Sequence, residues 1–373
     1  MAVIDLPMQH RDVFRLIDQI APPHLAASWD RVGFMLGDAS LETTGVVVAV
    51  NPSLACARFA SEQGANLVVA HHPLLFKPLK TLDVTREPGR TAAYMAAQGL
   101  TCFAAHTNLD STGCNHELAE RLGWPLDRVL QVEGHHGRFK VGVAVPPARA
   151  AEVREALWSA GAGSDEGYDR AAVTFEATER FRPLLGSDPS RGTTGEDHVG
   201  PVERIEVVVE EPHLRAVLVA LQAVHPDEAP ALDVVRLHGQ DTPTGIGLWG
   251  DLEQPTTLEA LARRVHEVLA PRSLRIVGDR QRTVRRVAVC SGAGGDLWEA
   301  CLRHGVDAFL TGEVRYHTAL DAAACGLAFI EAGHQATEQP VVDRLVRLLR
   351  PSIPAEIPVL AFAEDEPFEV LSW

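Results

Sequence analysis

Apolar and polar positions along the chain fall into short blocks. Between residues 44 and 123, TGVVVAV, NLVVA and LTCFAA are continuously apolar, the pattern of strands buried on both faces. SLACARFASEQG, GRTAAYMAAQG and NHELAERLG stand between and after them as helices. The section from 284 repeats the arrangement: VRRVAVC, DAFLTG and LAFIEAG read as strands, DLWEACLRHG, HTALDAAACG and EQPVVDRLVRLL as helices. Such alternation predicts parallel sheets covered by helices. The fold class is therefore α/β, with two related halves, 1–130 and 243–373, forming one core.

The stretch 138–237 has a different rhythm. RFKVGVAVP, a helix AAEVREALWSAG, VTFEATERF, the polar loop GSDPSRGTTGEDHVGP, RIEVVVE and the helix HLRAVLVALQAV give the order β-α-β-β-α-β. That is a ferredoxin-like plan, and the shift in composition at both borders marks it as an inserted domain. The turn-rich PTGIGLWGDLE (243–253) is expected to lead back into the flanking fold.

Composition narrows the function classes. The formal charge of −16 argues against a nucleic-acid partner and against an anionic membrane surface. The six cysteines show neither C-x-x-C nor a disulfide-framework spacing, which predicts a reducing compartment. The N-terminal MAVIDLPMQHRDVF has no signal-peptide pattern, and no apolar stretch approaches the roughly 20 residues that span a bilayer. The expectation is a cytoplasmic protein.

Parallel α/β sheets bind ligands at the carboxyl ends of their strands. Three such ends carry metal-ligand chemistry: His71 and His72 after NLVVA, His106 and Asp110 after LTCFAA, His334 and Glu338 after LAFIEAG. Imidazole and carboxylate together suit divalent Zn, Fe, Mn or Ni. His334 and Glu338 are four apart and share a helical face if helix begins near Thr337. His71 and His72 point to opposite sides of an extended chain that Pro73 bends, an arrangement suited to two ions about 3.5 Å apart. Two neighbouring segments add candidates. SGAGGD (291–296) offers backbone amides to a phosphate or is simply a tight strand-to-helix turn. TGEVRYH (311–317) offers Arg315 to an anionic ligand and His317 as a proton carrier, or is simply a surface loop of charged residues. Ser111 reads as a capping or turn residue.

Taken together, SWDRVGFMLG, HHPLLF, HTNLDS, TGEVRYH and GHQATE resemble the signature segments of the GTP cyclohydrolase 1 type 2 homologue family of dinuclear metal-centre proteins. The middle section, with FRPLLGSDP, resembles the PII-like, CutA-like insertion of its longer members. The resemblance implies His71, His72, Asp110, His334 and Glu338 as ligands of two divalent ions per chain. By the family pattern His72 and Asp110 hold one ion, His71 and His334 the other, and Glu338 bridges. It further implies a toroidal homohexamer and hydrolytic opening of a guanine ring, with His106 or His317 moving protons. One departure is GCN (113–115), where the pattern leads one to expect two glycines before the asparagine. A metal-dependent hydrolase of a nucleotide-like or phosphorylated small molecule is the expected function. The alternative is a non-enzymatic, metal-binding oligomeric scaffold or regulatory protein.

Overall fold

The structure is a computed structural model, describing residues 7–371 apart from 165–166, 187–189, 228–229 and 240. The chain divides into two compact units. One joins the residues up to Gly134 to those from Thr244 onward, and the other is His135–Pro243.

In chain order the first half contributes β1 (Gly33–Leu36), β2 (Val46–Ala49), β3 (Leu67–Ala70), β4 (Thr101–Ala104) and β5 (Arg128–His136). The inserted unit holds β6 (Arg138–Val145), β7 (Val173–Phe181), β8 (His198–Glu210) and β9 (Leu232–Arg236). The second half adds β10 (Thr242–Thr257), β11 (Arg275–Val277), β12 (Thr283–Cys290), β13 (Ala308–Thr311), β14 (Ala328–Glu331) and β15 (Val359–Ala361).

Two sheets form the larger unit, and they share a plan. The first runs β1-β4-β3-β2-β15 and the second β11-β14-β13-β12-β10-β5. Each is centred on three parallel strands, β2-β3-β4 and β12-β13-β14, with an antiparallel strand laid on the last of the three. Their side chains are buried on both faces, which is why these strands read as unbroken apolar runs. Val46, Val48, Leu67 and Val69 face one layer of helices, while Val47, Ala49 and Val68 face another. In the second sheet Val287, Val289 and Leu310 face one way and Ala288 and Phe309 the other.

The halves exchange helices. Helix Asn115–Leu122, from the first half, packs Leu118 and Leu122 into the core of the second sheet. Helix Pro340–Leu349, from the second half, packs Val341, Val342 and Leu345 against the first sheet. A buried carboxylate ties the two together: Glu117 accepts from Arg347 at 2.8 Å and from Arg121 at 3.0 Å, with Arg344 at 3.5 Å.

PTGIGLWGDLE is not a connecting turn but most of strand β10. Its glycines serve close packing: a Cβ on Gly245 would strike the Gln131 carbonyl on the chain beside it. In the inserted unit the elements follow the order β-α-β-β-α-β in an antiparallel sheet, β7-β8-β6-β9. Val141, Val143, Ile205 and Val207 pack there against Val153, Leu157, Val217 and Leu221 of its two helices. Among the described residues no helix is long and apolar enough to cross a membrane.

Candidate metal centre

The strand ends converge within the larger unit. The His71 and His72 amides continue the β3 ladder, donating to Ala49 O at 3.0 Å and Val50 O at 2.8 Å. Beyond Ala70 the backbone nevertheless bends at both residues, so the two rings lie side by side with centroids 4.9 Å apart, not on opposite faces as an extended chain would place them. The His71 side chain is fully buried, while His72 faces a cavity of about 720 Å³ that His334, Asn51, Arg315 and Phe368 also line. After β4 the chain makes one helical turn and then a π-helical one, Asp110–Cys114. This widened turn aims Asp110 and Cys114 at His71. After β14, Gly333 starts a short helix at His334, three residues earlier than the expected Thr337, and Glu338 closes the same turn.

Glu338 sits at the centre. One carboxylate oxygen lies 3.0 Å from His334 Nε2 and 3.7 Å from His71 Nε2, and the other lies 3.2 Å from His72 Nε2. Asp110 Oδ1 is 3.7 Å from His71 Nε2. Donor atoms close enough to share an ion group as His72 with His334 and Glu338, and as His71 with Asp110 and Cys114. His71, His72 and His106 form a third such group. The grouping differs from the pairing that the resemblance implies, since His71 stands with Asp110 and His72 with His334. The bend after β3 turns both rings into one cluster, where His71 meets Asp110 and Cys114 from the π turn and His72 meets His334 from the second half.

Each imidazole is held from behind. Nδ1 of His71 donates to Ala105 O at 3.0 Å, that of His72 to Asn51 Oδ1 at 2.7 Å, that of His106 to Asp30 Oδ1 at 2.8 Å, and that of His334 to Glu313 Oε1 at 2.7 Å. Every one of these rings is therefore left with Nε2 as its free nitrogen, the way metal-binding histidines are oriented by a second layer of acceptors. His71 Nε2, His334 Nε2 and one Glu338 oxygen are buried without a hydrogen bond. Buried polar atoms ordinarily find partners, and these three, gathered at one carboxylate, form a cradle that a cation would satisfy. The residues fit a divalent metal.

Electrostatics agree. Burial works against the Glu338 carboxylate, yet its contacts with His334, His71 and His72 hold it well below the usual glutamate range. The Glu338 carboxylate 3.0 Å from its Nε2 raises His334 to about 9 against the opposing effect of burial. Burial lowers His72, raises Asp110 and pushes the Cys114 thiol up to about 12. Burial would lower His71 as well, but its neighbours Cys114, Asp110 and Glu338 raise it well above normal. With the thiol that high, the carboxylates carry the effect.

Gly292 closes the floor of the cradle. Its φ of +64° suits glycine, and a Cβ there would fall against Glu338 Oε1 and His334 Nε2. Three of the SGAGGD amides are engaged within the protein: Ser291 N binds Asn115 Oδ1, Gly292 N binds Thr337 Oγ1 and Gly294 N binds Thr311 Oγ1. This segment is a tight turn, not a phosphate loop.

Of the sequence-derived proton carriers, the structure brings in His106 and leaves His317 out. His106 packs 5.1 Å from the His71 ring and 5.4 Å from the His72 ring. His317 is exposed on helix Tyr316–Ala324 against Tyr316 and does not line the cavity. Arg315 does line it, paired with Asp296 at 3.3 Å. Ser111 lies inside the π turn and donates to Thr107 O. Asp30, Asn51, Glu313 and Asn115 went unassigned in the sequence. The strand-end rule applied to β2 would have found Asn51, and TGEVRYH already displayed Glu313.

A buried histidine and carboxylate cluster, set where strands of two matched α/β sheets end, defines an α/β protein whose site could hold divalent cations. The chain belongs to the Duf34/NIF3 (NGG1p interacting factor 3) family, whose profile matches residues 8–367. It is 33% identical over 343 residues to a GTP cyclohydrolase 1 type 2 homolog of Halalkalibacterium halodurans, covering 91% of this chain and 92% of the other. A protein of the same name from Mycobacterium tuberculosis is 33% identical over 354 residues, covering 93% of each. Among solved structures, a Bacillus cereus protein related to NIF3 aligns with a TM-score of 0.81 at 30% identity, over 98% of this chain and 100% of that one.

Proposed function

We propose that the cluster holds two divalent ions per chain (Zn, Fe, Mn or Ni) and that the protein is a hydrolase acting on a nucleotide-like or phosphorylated small molecule. The observation that carries the metal reading is the set of four imidazoles, each fixed through Nδ1 and each left with a free Nε2. In this reading His71 and Asp110 hold one ion, His72 and His334 the other, and Glu338 reaches both. Ions so held supply Lewis acidity and lower the pKa of water toward neutrality.

The chain's own residues do the rest. His106, fixed by Asp30, is placed to carry a proton beside the cluster. The cavity offers Arg315 to an anionic group and Phe368 as an apolar wall. On the other flank Trp29 and Phe76, 5.9 Å apart and both exposed, stand against His106 and give a flat ring a surface to stack on. The printed names of the relatives make GTP the first substrate to try.

A second reading is a metal-binding scaffold in a ring of six copies, and the exposure of Trp29, Phe34 and Phe76 favours it as a surface that another copy would cover. Metal analysis of purified protein, with turnover of GTP and a nucleotide panel, separates the two. About two ions per chain, lost in Glu338→Ala, together with hydrolysis support the enzyme. Full loading with no turnover of any substrate favours the scaffold, and equilibrium sedimentation then reads its assembly.

A further inference from the structure

We infer that Cys114 is a metal ligand, completing with His71 and Asp110 a sulfur-containing site for a divalent cation of borderline softness such as Zn²⁺, Co²⁺ or Fe²⁺. The inference rests on the metal reading above and adds to it a donor of a different chemical kind. Cys114 is buried, at the end of the π-helical turn that begins with Asp110. Its sulfur lies 3.9 Å from His71 Nδ1, and donor atoms of His71, Asp110 and Cys114 all lie within 4.8 Å of one another.

A lone buried cysteine is ordinarily a small apolar residue, and four others here, Cys56, Cys102, Cys290 and Cys301, are buried too. What sets Cys114 apart is its company. His71 Nε2 is fully buried, has no hydrogen-bond partner, and faces the Asp110 carboxylate. His71 Nδ1 is already satisfied by Ala105 O, so the sulfur is not needed to hold the ring. Bond lengths of about 2.3 Å to sulfur and about 2.0–2.1 Å to nitrogen place tetrahedral donors roughly 3.3–3.8 Å apart. Asp110 Oδ1 already stands 3.7 Å from His71 Nε2, and to reach that spacing the sulfur swings from the Nδ1 side of the ring toward Nε2, within a turn whose own geometry gathers Asp110 and Cys114.

On binding, the sulfur–hydrogen bond breaks as the sulfur–metal bond forms, and the proton leaves to solvent. A cation at this point supplies the charge that makes the thiolate stable in a buried setting. The two ions would then differ: a sulfur-bearing site at His71, and an all nitrogen and oxygen site at His72, His334 and Glu338. Soft ligands favour Zn, Fe and Co over Mn, so the first site is expected to reject Mn²⁺ while the second accepts it.

Cobalt substitution tests this without reference to activity. The full chain is stripped of metal, titrated with Co²⁺ and followed by absorption. The expected result is a sulfur-to-cobalt charge-transfer band in the near ultraviolet that vanishes in Cys114→Ser while visible cobalt bands and bound cobalt persist. Circular dichroism confirms that the variant is folded, and Cys114→Gly repeats the measurement with no side chain at all. Bound cobalt with visible bands and no charge-transfer band would overturn the inference and leave the metal reading standing, with the thiol merely donating to Asp110. A band that survives in both variants would place another sulfur, Cys290 first, at the metal and equally overturn it. Failure of the wild-type chain to bind cobalt, zinc or iron would sink the metal reading itself.

Discussion

Asp30 Oδ1 accepts a 2.8 Å hydrogen bond from His106 Nδ1 across 76 positions of sequence. The same carboxylate takes two further bonds from Thr107, at 3.0 Å from its amide and 2.6 Å from its hydroxyl. Burial opposes the negative charge, but these donors together hold the Asp30 carboxyl well below its ordinary range. Asp30→Asn keeps the shape and exchanges the acceptor for a weaker one. Loss of such a supporting partner costs roughly 10–100-fold in activity or metal affinity. The expected outcome is a drop of that size in turnover with metal content unchanged. Nitrogen NMR of the imidazoles reads the His106 tautomer directly, and an unchanged tautomer in the variant would count against Asp30 as its orienter.

The stability of the metal-free protein and the gain from added metal are expected to respond to pH with opposite signs. His334 is raised to about 9 in the folded chain by Glu338. A raised folded value means that its contribution to stability is full below the ordinary histidine range and fades as pH climbs toward 9. Melting temperatures of the stripped protein should therefore fall between about pH 6.5 and 9. Metal must displace protons from the same rings, so the gain in melting temperature on adding metal should grow over that range. Thermal scans at several pH values, with and without Zn²⁺, check both slopes.

Glu117 is expected to act as a clasp. Its buried carboxylate, contacted by Arg121, Arg344 and Arg347, joins the two exchanged helices. Removing the charge in Glu117→Ala takes the shared acceptor from three arginines, of which Arg121 keeps Asp343 and Arg344 keeps Glu120, and loss of a charged hydrogen bond costs about 1.5–3 kcal/mol. Burial would raise this carboxyl, but Arg347 and Arg121 lower it. A depressed value stabilises above the ordinary glutamate range and is lost as pH falls below it. The variant should melt lower at neutral pH and lose less than wild type on acidification. Denaturant titration at pH 7 and at pH 4 measures the difference.

Gly292→Ala is expected to abolish metal loading while leaving a folded chain. The added methyl would stand against Glu338 and His334, and the positive φ adds strain of order 1–3 kcal/mol. Metal analysis beside a melting curve reads both effects. Full metal content in the variant would show that the cradle has more room than its geometry indicates.

Much of this site was legible because one rule governs it. Strands of a parallel sheet deliver their last residues to a common edge, so His71, His72, His106, Asp110, His334 and Glu338 could be gathered from three separate stretches before any coordinate was known. The rule says nothing of a residue that arrives from elsewhere. Asp30 follows no strand, and its partner His106 lies far along the chain, so its meaning is purely tertiary. The π-helical turn was likewise invisible, because DSTGC spells an ordinary helical segment, and with it the approach of Cys114 to His71. His317 shows the rule's opposite failing. It follows β13 closely enough to qualify, yet helix Tyr316–Ala324 turns it outward. In the fold, glycines that punctuate loops elsewhere led 243–253 to be read as turns, when in β10 they let backbones approach.

The exchange of helices between the halves has a consequence for how the molecule comes into being. A ribosome releases Asn115–Leu122 long before the sheet on which it rests, and the first sheet waits uncovered until Pro340–Leu349 emerges. Domains fold during synthesis as their contacts become available. Here neither half can close early. His71 and Asp110 stay without their partners until His334 and Glu338 have been made, so any ion the cluster holds is captured only after both halves exist.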